Sequence, residues 1–278
     1  MMDIPLLYPH EVLHYIHSVV GIKTDKDLIR KYWEFAAEKG MDWATKQTDL
    51  EAIPIGLYAD ETKYGLHESQ EKVLGIFLNL VLFRPRSIRL SRFLICAFRS
   101  TKLMLPGNRT LLPIMERIVW SLGWASRGVF PDQGMHGEPL PPAEARDAGK
   151  LIGGRFFVTE LRGDLGWHKL VWGFPDGWKS TKVCFFCNAV QTGRNQHLLF
   201  THTGEQAAWR NTIYRDVLTW VVEKLPLENL CPLLLLPNFG LDTIRMCSMH
   251  NLNLGLVFIA NGSSLCLGFD STFRVQFH

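Results

Sequence analysis

The sequence predicts an α/β fold with a mixed sheet, on the basis of three observations. Three strand-like segments follow one another closely, an amphipathic helix comes next, and a fourth strand-like segment follows that helix. The second strand segment is apolar on both alternating faces, which is typical of a buried central strand. The predicted bounds are 53–59, 73–83 and 88–98 for the first three strands, 111–127 for the helix and 155–161 for the fourth strand.

Two helices are predicted before the sheet, in an N-terminal helical region of residues 1–50. Residues 6–20 place apolar side chains at helical spacing, with His10, His14 and His17 on one face. Three such histidines could bind a metal, but no acid or cysteine lies nearby in the sequence, so a mixed surface stripe is the better interpretation. The second helix is expected to begin at Thr24, whose hydroxyl can cap it, and to stop at Gly40.

The sheet belongs to a predicted core of residues 51–180. Its first strand is expected to end at Asp60, and the Arg84–Ser87 turn joins the second and third strands as in a hairpin. Gly128 can end the helix that follows, because glycine accepts the left-handed conformation of a helix C-terminus. The fourth strand runs into Asp164.

The C-terminal part is predicted to be a cysteine-containing, helical insertion region over residues 181–262. It includes a helix near 207–225 and an amphipathic turn and helix over 242–255. Residues 263–278 follow no pattern and are expected to form an irregular tail. No internal repeat is found along the chain.

Composition excludes several classes of protein. The chain has 278 residues with 47% hydrophobic and 21% charged residues, which excludes a disordered chain, a collagen-like repeat and a coiled coil. Six cysteines are too few for a disulfide scaffold. No apolar run reaches the 18 residues of a membrane helix, and the N-terminus lacks the pattern of a signal peptide. We therefore expect an intracellular protein, in the nucleus or the cytoplasm, with no membrane association.

Positive charge is concentrated in one segment, residues 84–127. Nine basic residues and one acid, Glu116, give this segment a net charge of +8, whereas the whole chain carries only +3. Arginine predominates, and its guanidinium group matches phosphate geometry. The sequence therefore predicts DNA as a partner, bound by arginines that line one face of a strand, although a solvated basic face is the alternative. The candidate DNA-binding residues are Arg84, Arg86, Arg89 and Arg92.

Two acids follow strands of the predicted sheet. The order strand, strand, strand, helix, strand is typical of a ribonuclease-H-like fold, in which the first and fourth strands are neighbours. Asp60 and Asp164 would then meet at one edge of the sheet. Two adjacent carboxylates repel unless a cation neutralises them, so Mg²⁺ or Mn²⁺ is the predicted cofactor and phosphodiester chemistry the predicted reaction. The alternative is that both are ordinary solvent-exposed strand-end residues.

A second candidate metal site begins with Cys184 and Cys187, a spacing that supplies half of a tetrahedral Zn²⁺ site. His197 and His202 could complete it, as could His250 or Cys247. The alternative is a pair of core thiols that flank two phenylalanines. Nothing in the sequence indicates an organic cofactor.

Several segments together resemble a known type of protein. They are Ile53–Glu61, Phe83–Ser87, Glu116–Leu122, Thr159–Lys169, Cys184–Cys187 and the Met249-His250 block with Leu254-Gly255. Their order and spacing resemble those of transposon-derived proteins that are abundant in unicellular algal, dinoflagellate-like genomes. More distantly, they are similar to those of CACTA-type transposases. The resemblance implies that Asp60 and Asp164 are two of three catalytic acids, and that Cys184 and Cys187 are zinc ligands in an inserted region.

The sequence departs from that pattern in its last part. Cys247 stands where the family usually has Asp, and the family's third acid lies beyond the position at which this chain ends. We therefore expect a C-terminally truncated, catalytically incomplete chain. The predicted function is that of a transposase-derived, DNA-binding protein with an ancestral metal-dependent cleavage and strand-transfer activity. The alternatives are a non-catalytic nucleic-acid-binding or interaction protein, and an open reading frame with no selected function.

Overall fold

The structure is a computed structural model that describes residues 3–63, 71–87, 90–104, 108–175 and 180–247. Two compact units divide the chain, Met1–Arg245 and Met246–His278. The second unit is described only at Met246 and Cys247. The elements that position the candidate site all belong to the first unit. The boundaries predicted for separate domains within it stay predictions.

In the described part of the chain, three α-helices precede three consecutive strands, and further helices separate these strands from the last two. The described α-helices are α1 (Pro9–His14), α2 (Lys26–Glu38), α3 (Asp42–Thr45), α4 (Leu111–Arg127), α5 (Pro142–Ala145), α6 (Leu165–Trp172) and α7 (Val217–Lys224). The strands are β1 (Ile53–Lys63), β2 (Lys72–Leu80), β3 (Arg92–Arg99), β4 (Phe156–Gly163) and β5 (Ile244–Met246). A π-helical turn, Tyr15–Val19, continues α1. No helix within the described ranges has the length and apolar character needed to cross a bilayer.

A mixed five-stranded sheet organises the unit, with the strand order β3-β2-β1-β4-β5. β1 pairs with β2 and β2 with β3 in the antiparallel sense, whereas β1 and β4 are parallel. Because a parallel neighbour requires a crossover, α4 carries the chain from β3 to β4. The mixed α/β sheet and the adjacency of the first and fourth strands are therefore confirmed.

Helices α4 and α6 cover one face of the sheet. On this face Leu57, Ile76 and Leu161 meet Met115 of α4 and Trp172 of α6. All five side chains are at least 93% buried. Burial of this apolar area is the main contribution to the stability of the fold.

Helix α1 packs against α4 through a histidine. His10 is only 3% exposed; its backbone N–H donates to the Ser121 hydroxyl at 3.0 Å, and its ring Nδ1 lies 2.8 Å from the same oxygen. The aromatic rings of Trp120 and Phe130 contact the imidazole edge-on. The predicted surface stripe is thus wrong for His10, which is a core residue.

The start of α2 differs from the prediction by two residues. The helix begins at Lys26, and Asp25 rather than Thr24 caps it. The Asp25 carboxylate accepts hydrogen bonds from the backbone N–H groups of Asp27 at 2.7 Å and Leu28 at 3.1 Å. An aspartate in extended conformation satisfies these donors as well as a threonine would.

Other predicted boundaries also differ from those in the structure. β1 continues to Lys63, so Asp60 lies within the strand instead of at its end. β3 begins at Arg92, four residues later than predicted, and residues 88 and 89 lie outside the described ranges. The predicted turn and helix over 242–255 is instead a 3₁₀ turn, Leu241–Thr243, followed by β5, with residues from 248 onward outside the described part. Of the predicted helix near 207–225, only Val217–Lys224 is α-helical.

Candidate functional site

The pairing of β1 with β4 brings the two candidate acids to the same level of the sheet. In the pairing of β1 with β4, Tyr58 lies opposite Arg162. Asp60 comes two residues after Tyr58 and Asp164 comes two residues after Arg162, so the two acids occupy equivalent positions along the chain. Asp164 directly follows the last residue of β4. Because parallel strands end at the same edge, both acids lie at the carboxyl-end edge of the β1–β4 pair.

Asp60 is a half-buried residue whose carboxylate accepts two hydrogen bonds. The Tyr58 hydroxyl donates to Oδ2 at 2.5 Å, and the Glu61 backbone N–H donates to Oδ1 at 2.8 Å. Tyr58 and Asp60 share one face of the sheet, since alternate residues of a strand point the same way. The guanidinium of Arg92 lies over the Tyr58 ring, 4.6 Å from its centroid, and thereby brings positive charge to this face.

Asp164 caps helix α6. Its Oδ1 accepts the Trp167 backbone N–H at 2.6 Å, which satisfies a donor at the helix N-terminus. Gly163 precedes it for a steric reason, because a Cβ at this position would lie 2.1 Å from Cδ1 of Trp167. The Gly-Asp sequence after β4 thus has a local structural role in addition to any role in chemistry.

Behind Asp164, His168 is fully buried on α6. Its Nε2 lies 3.1 Å from the Arg245 carbonyl oxygen, and its Nδ1 has no hydrogen-bond partner within the described residues. Burial lowers the pKa of His168, although the Arg245 carbonyl and the Asp164 carboxylate both act in the opposite direction. The imidazole is therefore neutral near pH 7.

A lysine that the sequence analysis missed lies beside these acids. Lys72 Nζ is 2.6 Å from Glu61 Oε2, and the Ser100 hydroxyl donates to the other Glu61 oxygen. Burial by itself would raise the pKa of Glu61, but the hydrogen bonds from Lys72 and Ser100 outweigh it and lower the pKa. The pKa of Lys72 is raised, mainly by Glu61 and further by the charge of Asp164.

Carboxylate oxygens of this kind suit a hard divalent cation. The described residues provide only part of such a site, because no group of three or more His, Cys, Asp or Glu side chains converges anywhere among them. Lys72 also supplies positive charge close to Asp164. Among the described residues, Asp60 and Asp164 would therefore supply at most two ligands to such a cation.

The candidate DNA-binding arginines lie on a connection and at a strand end. Arg84 and Arg86 are exposed in the segment between β2 and β3, and Arg92 is exposed at the start of β3. Arg84 and Arg86 thus lie in the connection predicted between the second and third strands, and of these three arginines Arg92 is the one on a strand. Arg89 lies outside the described residues. Within the described part, no carboxylate forms an ion pair with Arg84, Arg86 or Arg92.

Helix α7 holds the cysteine loop by its backbone carbonyls. The ammonium of Lys224, which is 3% exposed, donates to the carbonyl oxygens of Cys184 at 3.1 Å and Cys187 at 3.0 Å. The Trp220 indole N–H donates to the carbonyl of Phe185, between them, at 2.7 Å. These three bonds fix the loop from one side.

The two thiols differ in environment. Cys184 is half-buried, and its Sγ accepts the Phe186 backbone N–H at 3.3 Å, whereas Cys187 is 3% exposed. A hydrogen bond from Cys187 lowers the pKa of Cys184 to about 6, against the opposing effect of burial. The same bond and burial raise the pKa of Cys187. Cys184 is therefore the thiol that ionises first.

The histidines proposed to complete a zinc site lie elsewhere or outside the described residues. His197 lies in an exposed 3₁₀ turn, Gln196–Leu198, and His202 is exposed shortly after it. Neither joins the cysteine pair in a group of metal-binding side chains within the described ranges. His250 lies outside those ranges. The identity of further zinc ligands thus stays a prediction.

Comparison of the sequence with protein-family models and with curated proteins gave no match.

Proposed function

We propose that this chain is a transposase-derived, DNA-binding protein with a ribonuclease-H-like fold. The strand order β3-β2-β1-β4-β5 supports this proposal, as does the mixture of an antiparallel three-strand meander with a parallel fourth strand. The observation that carries it is the β1–β4 register, which puts Asp60 and Asp164 at one level of the sheet. The resemblance of the sequence to transposon-derived proteins adds to this support.

Each candidate residue has a role in the proposal. Asp60 and Asp164 would hold Mg²⁺ or Mn²⁺, which supplies charge neutralisation and an activated water for phosphodiester cleavage. The exposed guanidinium groups of Arg84, Arg86 and Arg92 bind backbone phosphates, since they have no carboxylate partner among the described residues. Arg92 also reaches the face of the sheet that carries Asp60.

A second candidate function is DNA binding without catalysis. It is favoured by Lys72, whose ammonium pairs with Glu61 and whose pKa is also raised by Asp164. Such a lysine neutralises acids at the sheet edge without a metal ion. In this version the arginines bind DNA as before, and the two aspartates have only the hydrogen-bonding roles described above.

A plasmid-nicking assay separates the two functions. If the chain retains the catalytic function, the wild-type protein nicks supercoiled DNA in the presence of Mn²⁺ or Mg²⁺, and Asp60→Asn or Asp164→Asn reduces nicking to background, because each removes a metal-binding charge. Glu144→Gln, at an exposed acid of α5, is the matched control and should nick like the wild type.

The outcomes of the nicking assay are distinct. Nicking that survives both aspartate substitutions contradicts the catalytic proposal. Salt-sensitive DNA binding without nicking supports the second function, with log K falling by about 0.9 per phosphate contact for each tenfold rise in salt. Absence of both nicking and DNA binding would rule out both functions.

We also propose that Cys184 and Cys187 bind Zn²⁺. The spacing of the pair, the backbone N–H donated to the Cys184 sulfur and the low pKa of Cys184 support this proposal, because zinc binds thiolates. Lys224 has a favourable charge for such a site, since it offsets the negative charge of two thiolates from the carbonyl side of the loop.

Cobalt substitution tests the zinc proposal directly. With Co²⁺, the wild-type protein is expected to develop a thiolate-to-metal charge-transfer absorption that Cys184→Ser and Cys187→Ser abolish. Cys96→Ala is the control, because Cys96 is a buried thiol of β3 that the proposal does not involve. A band that persists in both serine variants would show that other residues bind the metal.

A further inference from the structure

An open cleft of about 580 Å³ lies where β1 and β4 begin. It is formed by the π-helical turn after α1, the start of α2, the C-terminal end of α4 and the first residues of the two strands. Its charged and titratable lining residues are His17, Lys23, Lys26, Glu51, Arg127 and Arg155. Positive groups thus predominate over a single acid in the lining.

Two of these cations have no acidic partner among the residues that the structure describes. Lys26 pairs with Glu51 at 3.4 Å, and Arg155 pairs at 2.8 Å with Asp49, which lies outside the lining. Within the described part of the chain, Lys23 and Arg127 form no ion pair with a carboxylate. The cleft therefore has an uncompensated positive charge.

The two arginines of the cleft have close contacts with their surroundings. The Arg127 guanidinium lies over the Trp124 ring, 4.5 Å from its centroid. Gly128, the next residue, has a φ of 78°, and a Cβ there would lie 2.9 Å from Cγ of Arg155. The backbone at Gly128 therefore lies so close to the Arg155 side chain that only glycine, which has no Cβ, fits at this position.

Gly153, another residue of the cleft lining, also allows its backbone to lie close to neighbouring side chains. Gly153 has a φ of 102°, and a Cβ there would lie 2.6 Å from both His17 Nδ1 and Ser18 Oγ. His17 belongs to the π-helical turn, a type of turn that is frequent at functional sites. The glycine wall and the turn together fix the imidazole at the edge of the cleft.

We propose that this cleft binds phosphate groups, and that their source is the backbone of DNA; the choice of DNA rests on the function proposed above. Lys23 and Arg127 neutralise the phosphate charge, and the fork of the arginine can donate two parallel hydrogen bonds. A fixed guanidinium loses less conformational entropy on binding than a free one.

The cleft is separate from the edge that carries the two aspartates. Ile53 of the cleft and Asp60 lie on the same strand, and the rise of about 3.3 Å per residue separates them by roughly 23 Å. A strand of DNA that reached both places would span roughly seven phosphates, at about 3.4 Å each. The connection that carries Arg84 and Arg86 follows Leu80, which pairs with Ile55 near the start of β1, so these two arginines lie toward the same end of the sheet as the cleft.

The test measures binding of a fluorescein-labelled 20-base-pair duplex over a range of NaCl concentrations. The double variant Lys23→Gln/Arg127→Gln is expected to lower the slope of log K against log salt by about 1.8, because about 0.9 is lost per phosphate contact. Lys39→Gln/Arg146→Gln removes two exposed cations from elsewhere and is the matched control. Lys23→Glu, which leaves the Arg127–Trp124 contact intact, guards against misfolding and should also weaken binding.

Calorimetry with inorganic phosphate and with ADP distinguishes the source of the phosphate. If the wild type binds no DNA but binds phosphate or ADP, and Lys23→Gln/Arg127→Gln loses that binding, the cleft is a phosphate site for a free ligand and only the DNA proposal fails. A DNA slope equal to that of the wild type in both the double variant and Lys23→Glu overturns the cleft proposal while leaving DNA binding in place. Absence of DNA, phosphate and ADP binding overturns both.

Discussion

Replacement of Trp220 by alanine is expected to lower the free energy of unfolding by about 4 kcal/mol, the usual cost of deleting a buried tryptophan side chain. Trp220 is 0% exposed, and its ring packs edge-on against Trp172 at 5.8 Å and Phe174 at 5.7 Å. The substitution also leaves the carbonyl of Phe185 without the indole N–H that it accepts at 2.7 Å. Urea denaturation at pH 7, followed by circular dichroism, measures the loss.

Two further variants separate packing from hydrogen bonding. Trp220→Phe keeps most of the ring contacts but removes the donor, so it is expected to cost about 1–3 kcal/mol. Trp209→Ala is the matched control, because Trp209 is only half-buried although its indole also donates to a backbone carbonyl, that of His202 at 2.7 Å. If Trp220→Ala costs no more than Trp209→Ala, α7 does not anchor the cysteine loop.

Replacement of Trp220 is also expected to affect the loop that holds the cysteine pair. Trp220 and Lys224 lie one helical turn apart on α7. Together they donate hydrogen bonds to three backbone carbonyls of the loop, those of Cys184, Phe185 and Cys187. Loss of Trp220 therefore releases the loop as well as leaving a cavity. The cobalt absorption should weaken in Trp220→Ala under conditions in which the protein is still folded.

Local pattern was sufficient to predict the helix and strand content of the sheet region. The bounds of α4 were predicted at Leu111 and Arg127, because apolar residues repeat every three to four positions and Gly128 ends the helix in left-handed conformation. The start of β3 was not predicted, since the alternation of apolar and basic residues from Ile88 onward continues through the turn into the strand. Periodicity identifies a strand, whereas pairing with a neighbour decides where it begins.

The candidate site was predictable only in part, for a similar reason. Strand order alone suggested that Asp60 and Asp164 share a level, and the β1–β4 register agrees. The contacts of Glu61 with Lys72 and Ser100 were missed, because they join side chains from separate elements that register alone brings together. No sequence signal distinguishes Lys72 from any other lysine at the end of a strand.

The burial of His10 also could not be predicted from the local sequence pattern. A helical face of three histidines gave no indication of which one α4 would cover, since Ser121 lies 111 residues from His10 in sequence. Apolar neighbours of His10 come mainly from Trp120 and Phe130, in the same distant part of the chain. Tertiary packing therefore decided the environment of that imidazole.

Acidification is expected to destabilise the protein through His10. Burial lowers the pKa of His10 from 6.5 to about 4, so the unfolded chain binds a proton at this residue more readily than the folded protein does. The stabilising contribution of neutral His10 is complete above pH 6.5 and is lost progressively as the pH falls from 6.5 to 4. At 1.36 kcal/mol per pKa unit, the loss amounts to about 3 kcal/mol.

Paired denaturation curves at several pH values isolate this contribution. His10→Asn retains a polar group that can reach Ser121 but cannot gain a proton, so its free energy of unfolding should fall less steeply than that of the wild type between pH 6.5 and 4. His17 and His168, whose pKa values are also lowered mainly by burial, are present in both proteins and affect both curves alike. His136→Asn, at an exposed position, should follow the wild-type curve. If the free energies of unfolding of the wild type and His10→Asn instead fall equally with pH, the His10 imidazole gains its proton without disrupting the contact between α1 and α4.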